Sequence, residues 1–164
     1  MEYFLNSIVD FLYNKVSPEL IIFIISMIPI LELRGGMIAA SLLGINWKVA
    51  MLICILGNII PIPFILLFVK KVFEFLKNTS LSKLIYKLEK KADSKSKDIL
   101  KYKKFGLFLF VAIPLPGTGA WTGAMIASLL GLKLKNAVIS IFLGIVTAAI
   151  IMSIFSYGIL GFFI

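Results

Sequence analysis

Leu31-Glu32-Leu33-Arg34-Gly35-Gly36 sets an acid, a base and two adjacent glycines between two apolar runs, one ending at Ile30 and one spanning Met37 to Ile45. A charge near the bilayer centre costs several kcal/mol, from ~3 to over ~10, so such residues face a partner, a cavity or a ligand. The paired glycines mark an interrupted helix. Whether the flanking runs are two halves of a bent hairpin or one continuous crossing decides the fold.

The wider composition says that the runs belong in a membrane. Of 164 residues, 60% are hydrophobic and 15% charged, and the mean hydropathy is +1.05, outside the range of soluble domains. The first residues carry Glu2, Asp10 and Lys15 among apolar neighbours, a pattern unlike a cleaved signal peptide, so the segment is expected to be retained. Histidine is absent and Cys54 is the single cysteine, so no disulfide, no metal site, no cofactor and no catalytic residue is expected. An enzyme is therefore the disfavoured class.

Net charge is +9, with twelve of the seventeen basic residues between Lys70 and Lys104 and only Glu74, Glu89, Asp93 and Asp98 to offset them. No recognition motif accompanies that charge, so nucleic acid is not an expected partner. The positive-inside rule instead predicts that the basic stretch 70–104 is cytoplasmic. Its Leu81, Leu84, Ile85, Leu88 and Ala92 mark one face of an amphipathic helix on the membrane surface.

Taken in order, 1–17 reads as an N-terminal interfacial helix. Ser17 and Pro18 are an N-cap and first-turn proline for a helix reaching about Ile30. That helix and Met37 to Ile45 each span about half of a ~30 Å hydrocarbon core. They predict a re-entrant hairpin over 18–46, followed by a crossing helix over 48–69 that is kinked by Gly57, Pro61 and Pro63, with Asn58 facing other helices. The second half follows the same plan, with a hairpin over 105–133 bent at Pro114 to Trp121 and a crossing helix over 136–160.

The halves are related in sequence. Gly36 to Gly57 matches Gly123 to Gly144 at ten of twenty-two positions, and Ile28-Pro29 matches Ile113-Pro114 at a spacing of 85 rather than 87. Since each unit crosses once, the second is inverted relative to the first, a layout associated with secondary transporters. The expected fold class is thus an all-α integral membrane protein of two inverted repeats, each a re-entrant hairpin plus a transmembrane helix, joined by a basic cytoplasmic helix. The competing reading makes Ile21 to Ile45 and Leu107 to Leu132 full crossings.

Candidate site residues cluster at the two bends: Glu32, Arg34, Gly35 and Gly36 at the first; Pro116, Gly117, Thr118, Gly119 and Trp121 at the second; and Asn58 nearby. Glu32 and Arg34, two residues apart, cannot share a helical face, but in an unwound bend both can enter one cavity. Two uses stay open: mutual neutralisation that holds the loop, or Arg34 clamping an anionic head with Glu32 exchanging a proton. Backbone amides of the second bend and the helix after it form an anion-friendly end. Trp121 takes the place of Arg34 in the repeat, lining the same cavity or only packing.

The stretches Glu32-Leu33-Arg34-Gly35-Gly36 and Pro114-Leu115-Pro116-Gly117-Thr118-Gly119-Ala120-Trp121-Thr122-Gly123 resemble the two signatures of the putative small multi-drug export protein family, over about residues 18 to 160. That family is similar in layout to the DedA, or VTT-type, membrane proteins. The resemblance implies a multi-pass protein of the bacterial inner membrane that moves lipids or lipid carriers of the undecaprenyl-phosphate type. Unlike the DedA pattern, the second hairpin has no ionisable residue, which counts against a two-carboxylate proton relay. The expected partners are membrane lipids, an anionic lipid or amphipathic substrate, protons as coupling ion, and a second copy in a homodimer. Two alternatives stand beside lipid translocation: a proton-coupled small multi-drug exporter and a non-transporting membrane scaffold.

Overall fold

The structure, a computed structural model, describes residues 16–78, 82–83, 86–87, 90, 104–115 and 117–159. Nearly all of the predicted N-terminal helix, most of the basic linker 70–104, and Pro116 lie outside them. The described residues are helical, with no strand among them.

Helix α1 (Pro18–Met27) starts where the sequence predicts, with the Ser17 hydroxyl accepting from the Leu20 amide and Pro18 in the first turn. It stops three residues early, because Pro29 disfavours helical backbone at Ile28, which is extended (φ −74°, ψ 131°). The chain turns over 28–31 and α2 (Glu32–Leu42) begins. The charged motif is therefore helical rather than unwound. Only Glu32, at φ 50°, departs from right-handed backbone.

Helix α2 ends in a Schellman turn, with Gly44 at φ 69°, Ile45 N–H donating to Ala40 C=O and Gly44 N–H to Ser41 C=O. Glycine is needed there because other L-residues resist that backbone. Asn46 then caps α3 (Trp47–Ile59) by accepting from the Lys48 amide. Ile60, still right-handed helical at φ −52° and ψ −46°, leads into α4 (Pro61–Leu76). Trp47–Val69 is long and apolar enough to cross a membrane.

After the linker, α5 covers 104–112 and the chain leaves the helix at Ile113-Pro114. Helix α6 (Ala120–Leu129) follows, then α7 (Leu134–Ser153), which continues into a π-helical turn over Ile154–Ile159. Leu134–Gly158 is the second membrane-capable span. By contrast, the ten residues of α1 and of α6 reach only ~15 Å each.

Packing repeats at the spacings found in the sequence. The turn after α6 copies that after α2, with Gly131 at φ 64° and Leu132 N–H donating to Ala127 C=O. A Cβ added to Gly57 would meet the Phe23 carbonyl oxygen at 2.6 Å and the Ser26 side chain at 3.0 Å. One added to Gly144 would meet the corresponding Phe108 carbonyl oxygen at 3.0 Å and Val111 at 2.6 Å. These glycines let each long helix lie against the first arm of its own hairpin. Helices α1, α2 and α3 pack together, α4 lies on α6, and α7 lies on α2 and α3. The core includes Ile22, Leu33, Met37, Leu107, Ile126 and Ile145.

Candidate functional site

The two bends meet, and the charges of the first are spent on the backbone of the second. Glu32 opens α2, and its carboxylate reaches across to the start of α6, where Oε2 accepts from Ala120 N–H at 3.0 Å and Oε1 from Trp121 N–H at 3.1 Å. The first amides of a helix have no intrahelical acceptor and carry a partial positive charge. Glu32 is 5% exposed, so an unpaired anion there would be costly. The carboxylate satisfies two orphan donors while they satisfy it.

Gly119 makes this contact possible. A Cβ at that position would run into the Glu32 carboxylate, and its φ of 133° is one that side-chain-bearing residues rarely adopt. Gly119 is also the repeat counterpart of Glu32, at the spacing of 87. One carboxylate thus fills the space of both positions, and a second acid at 119 would have nowhere to go.

Arg34 points elsewhere. Its Nη1 donates to the Leu115 carbonyl at 2.5 Å, and Nη2 to the Ile113 carbonyl at 3.2 Å and to Thr118 Oγ1 at 3.0 Å. The Thr118 hydroxyl in turn lies at 2.9 Å from Ile113 C=O and 2.8 Å from Leu115 C=O. These carbonyls follow the C-terminal end of α5, where a cation is favoured by the helix dipole. Glu32 and Arg34 therefore bind opposite helix ends on the far bend, with no hydrogen bond between them. The two charges still attract each other, but the hydrogen bonds that hold each of them run to the far bend.

A recess of about 570 Å³ opens beside the joined bends, lined by Glu32, Arg34, Gly35, Gly117 and Thr118, together with Ile38 and Thr122. Three of the five guanidinium N–H donors are used on described residues, and the other two, on a half-buried side chain at the wall of this recess, have no partner among the described residues. Of the remaining predicted residues, Gly36 is packed against Ser26 and Cys54 and Gly119 against Glu32. Asn58 is buried in α3 and Trp121 is packed on the core. Asn58 Oδ1 and Trp121 Nε1 are both buried without a hydrogen-bond partner, and neither residue lines the recess. Pro116 is outside the described residues.

Sequence reasoning missed the acceptors of Arg34, because the carbonyls of Ile113 and Leu115 have no side-chain signature. The one available signal was general: Ile113-Pro114 fixes where α5 ends, and the carbonyls of the turn beyond it have acceptor capacity left for a side-chain donor. The anion-friendly end of α6 was anticipated, but its ligand is a side chain of this same chain.

No curated protein and no solved structure shows a match to the sequence. The family described as "Putative small multi-drug export protein" matches residues 32–151, from the acid of the first bend to the last third of α7. With 120 of 164 residues (151 − 32 + 1) aligned, including Glu32, Arg34 and the whole second bend, the chain belongs to that family of membrane proteins.

Proposed function

We propose that the chain is a small multi-pass transporter of the bacterial inner membrane, moving an amphiphile with an anionic, phosphate-like head. A lipid or a lipid carrier of the undecaprenyl-phosphate type has that chemistry. In this reading α1–α2 and α5–α6 are re-entrant hairpins entering from opposite faces. The repeat of helix lengths and glycine contacts supports the inversion, and helices of ~15 Å are too short for a ~30 Å core.

One observation carries the proposal. Arg34 stands at the wall of a recess with two donors unpartnered among the described residues, whereas the neighbouring acid is held by two amides at the start of α6. The recess therefore presents a cation more openly than an anion. A guanidinium can take two phosphate oxygens side by side, and Ile38, Leu31 and Ile30 offer apolar surface to the rest of the molecule. Glu32 supplies the coupling step: a proton on its carboxylate turns one acceptor oxygen into a donor, so the acid can no longer hold both amides of α6. Protonation thereby loosens one bend from the other.

The test is transfer of a fluorescent lipid phosphate between leaflets of proteoliposomes. Arg34→Ala should abolish transfer above the protein-free rate, and a folded Arg34→Ala protein that transfers as fast as wild type would overturn the assignment. The family description favours a second reading, export of small compounds in exchange for protons at Glu32. In that case Glu32→Gln removes drug tolerance in cells while leaving lipid transfer untouched.

A further inference from the structure

A second recess, of about 330 Å³, lies away from the bends, between the start of α5, the turn after α6 and the first turns of α7. It is lined by Lys104, Leu107, Leu132, Lys133, Asn136 and Ser140. Lysines at the end of a membrane helix are explained by the positive-inside rule alone. The two polar groups deeper in the recess are not.

Ser140 is 5% exposed, and its hydroxyl has no hydrogen-bond partner among the described residues. Ser26, Thr147 and Ser153 turn their hydroxyls back on their own helices, to Ile22, Leu143 and Ala149 C=O, and Ser41 and Ser128 reach the carbonyls of Ser156 and Leu66; Ser156 Oγ, like that of Ser140, has no partner among the described residues, but only Ser140 lines this recess. On a residue this buried, a hydroxyl left without a protein partner at the wall of a cavity is available to a ligand there. Lys104, Lys133 and Asn136 likewise have no side-chain partner among the described residues. The first turn of α7 adds its positive end: Lys133 is its N-cap and no side chain caps it, whereas Asn46 caps α3 at the corresponding place.

Comparison with the first half shows that the fold does not require this set. The counterparts of Lys104, Lys133, Asn136 and Ser140, at spacings of 85 and 87, are Glu19, Asn46, Val49 and Ile53. Cationic and hydrogen-bonding groups have been placed on one half where the other has an acid, an amide and two apolar residues.

We infer that this recess binds the phosphate group of an anionic phospholipid, with Lys104 and Lys133 neutralising it and Asn136 and Ser140 donating to its oxygens. A lipid suits the site better than a free anion. Leu107 and Leu132 form an apolar wall, and the adjoining surface of α7 exposes Val138, Ile139 and Phe142, along which acyl chains can lie. The site is independent of the transport reading, since none of its lining residues lines the recess at the bends.

The experiment is native mass spectrometry of the full chain in detergent, titrated with phosphatidylglycerol, phosphatidylcholine or inorganic phosphate. Phosphatidylglycerol should bind more tightly than phosphatidylcholine, and Lys104→Gln and Lys133→Gln should each weaken it about fivefold. Ser140→Val, of similar volume, should weaken it severalfold at unchanged melting temperature, while Lys135→Gln, outside the recess, should leave it unchanged. Equal losses for all three lysine variants would mean surface charge alone and overturn the site. Displacement of the lipid by millimolar inorganic phosphate would overturn the lipid assignment. Neither outcome bears on Arg34.

Discussion

The two bends occupy matching places in related halves, yet one carries Glu32 and Arg34 and the other carries no ionisable residue. The difference is a division of labour between side chain and backbone. The second bend offers the amides opening α6 and the turn carbonyls following α5, which keep acceptor capacity beyond their local bonds, and the first offers one charge of each sign to meet them. A charge at both bends would duplicate ligands and leave a carboxylate without room, since Gly119 already lies against Glu32. Asymmetry at the centre is thus a condition for two similar halves to close on each other.

The largest test of that comparison is Gly119→Ala. It adds a Cβ into the Glu32 carboxylate at φ 133°, combining overpacking with backbone strain, together about 2–6 kcal/mol. Thermal unfolding in detergent should show a collapse in melting temperature. Adding Glu32→Ala should recover part of the loss, whereas strictly additive effects would mean that the two positions do not share space.

Next in size is Glu32 itself. Glu32→Ala strands two amide donors at the start of α6 and should destabilise by roughly 3 kcal/mol, each bond to a charged group contributing about 1.5–3. Glu32→Gln, which keeps an acceptor, should cost about half as much. If Ala and Gln unfold together, the amides of Ala120 and Trp121 are satisfied in some other way.

Arg34→Lys keeps the charge but not the fork that reaches Ile113, Leu115 and Thr118 at once. A loss of about 1–2 kcal/mol is expected, with hydrogen exchange rising at the second bend rather than the first. Exchange rising only around residues 32–36 would place the role of Arg34 within its own hairpin.

The smallest test concerns where the halves agree. Gly44→Ala and Gly131→Ala alter equivalent turns at φ 69° and 64°, both in open space. Each should cost about 1 kcal/mol, and nearly the same for both. A gap much wider than the measurement error would show that the matching turns bear unequal loads.

Periodicity and composition were enough to reveal a helical membrane protein with four short and two long apolar segments, because those properties are set by side-chain hydropathy and by local signals such as Ser17-Pro18 and Ile28-Pro29. The repeat was legible for a related reason: Gly36, Gly57, Gly123 and Gly144 are small where helices touch, and that need leaves identical residues in both halves. Candidate residues at the bends were legible as charges and glycines out of place. Their roles were not. In sequence Glu32 and Arg34 look like partners for each other, being two apart, but each bonds to backbone about eighty residues away. Backbone amides and carbonyls are present at every position, so which of them are left bare, and which charge they face, is decided only when α5 ends, α6 begins and the two bends are brought together. The same holds for the recess at Ser140, where a serine unremarkable in sequence is set apart by tertiary packing that places it at the wall of a cavity beside Lys104, Lys133 and Asn136.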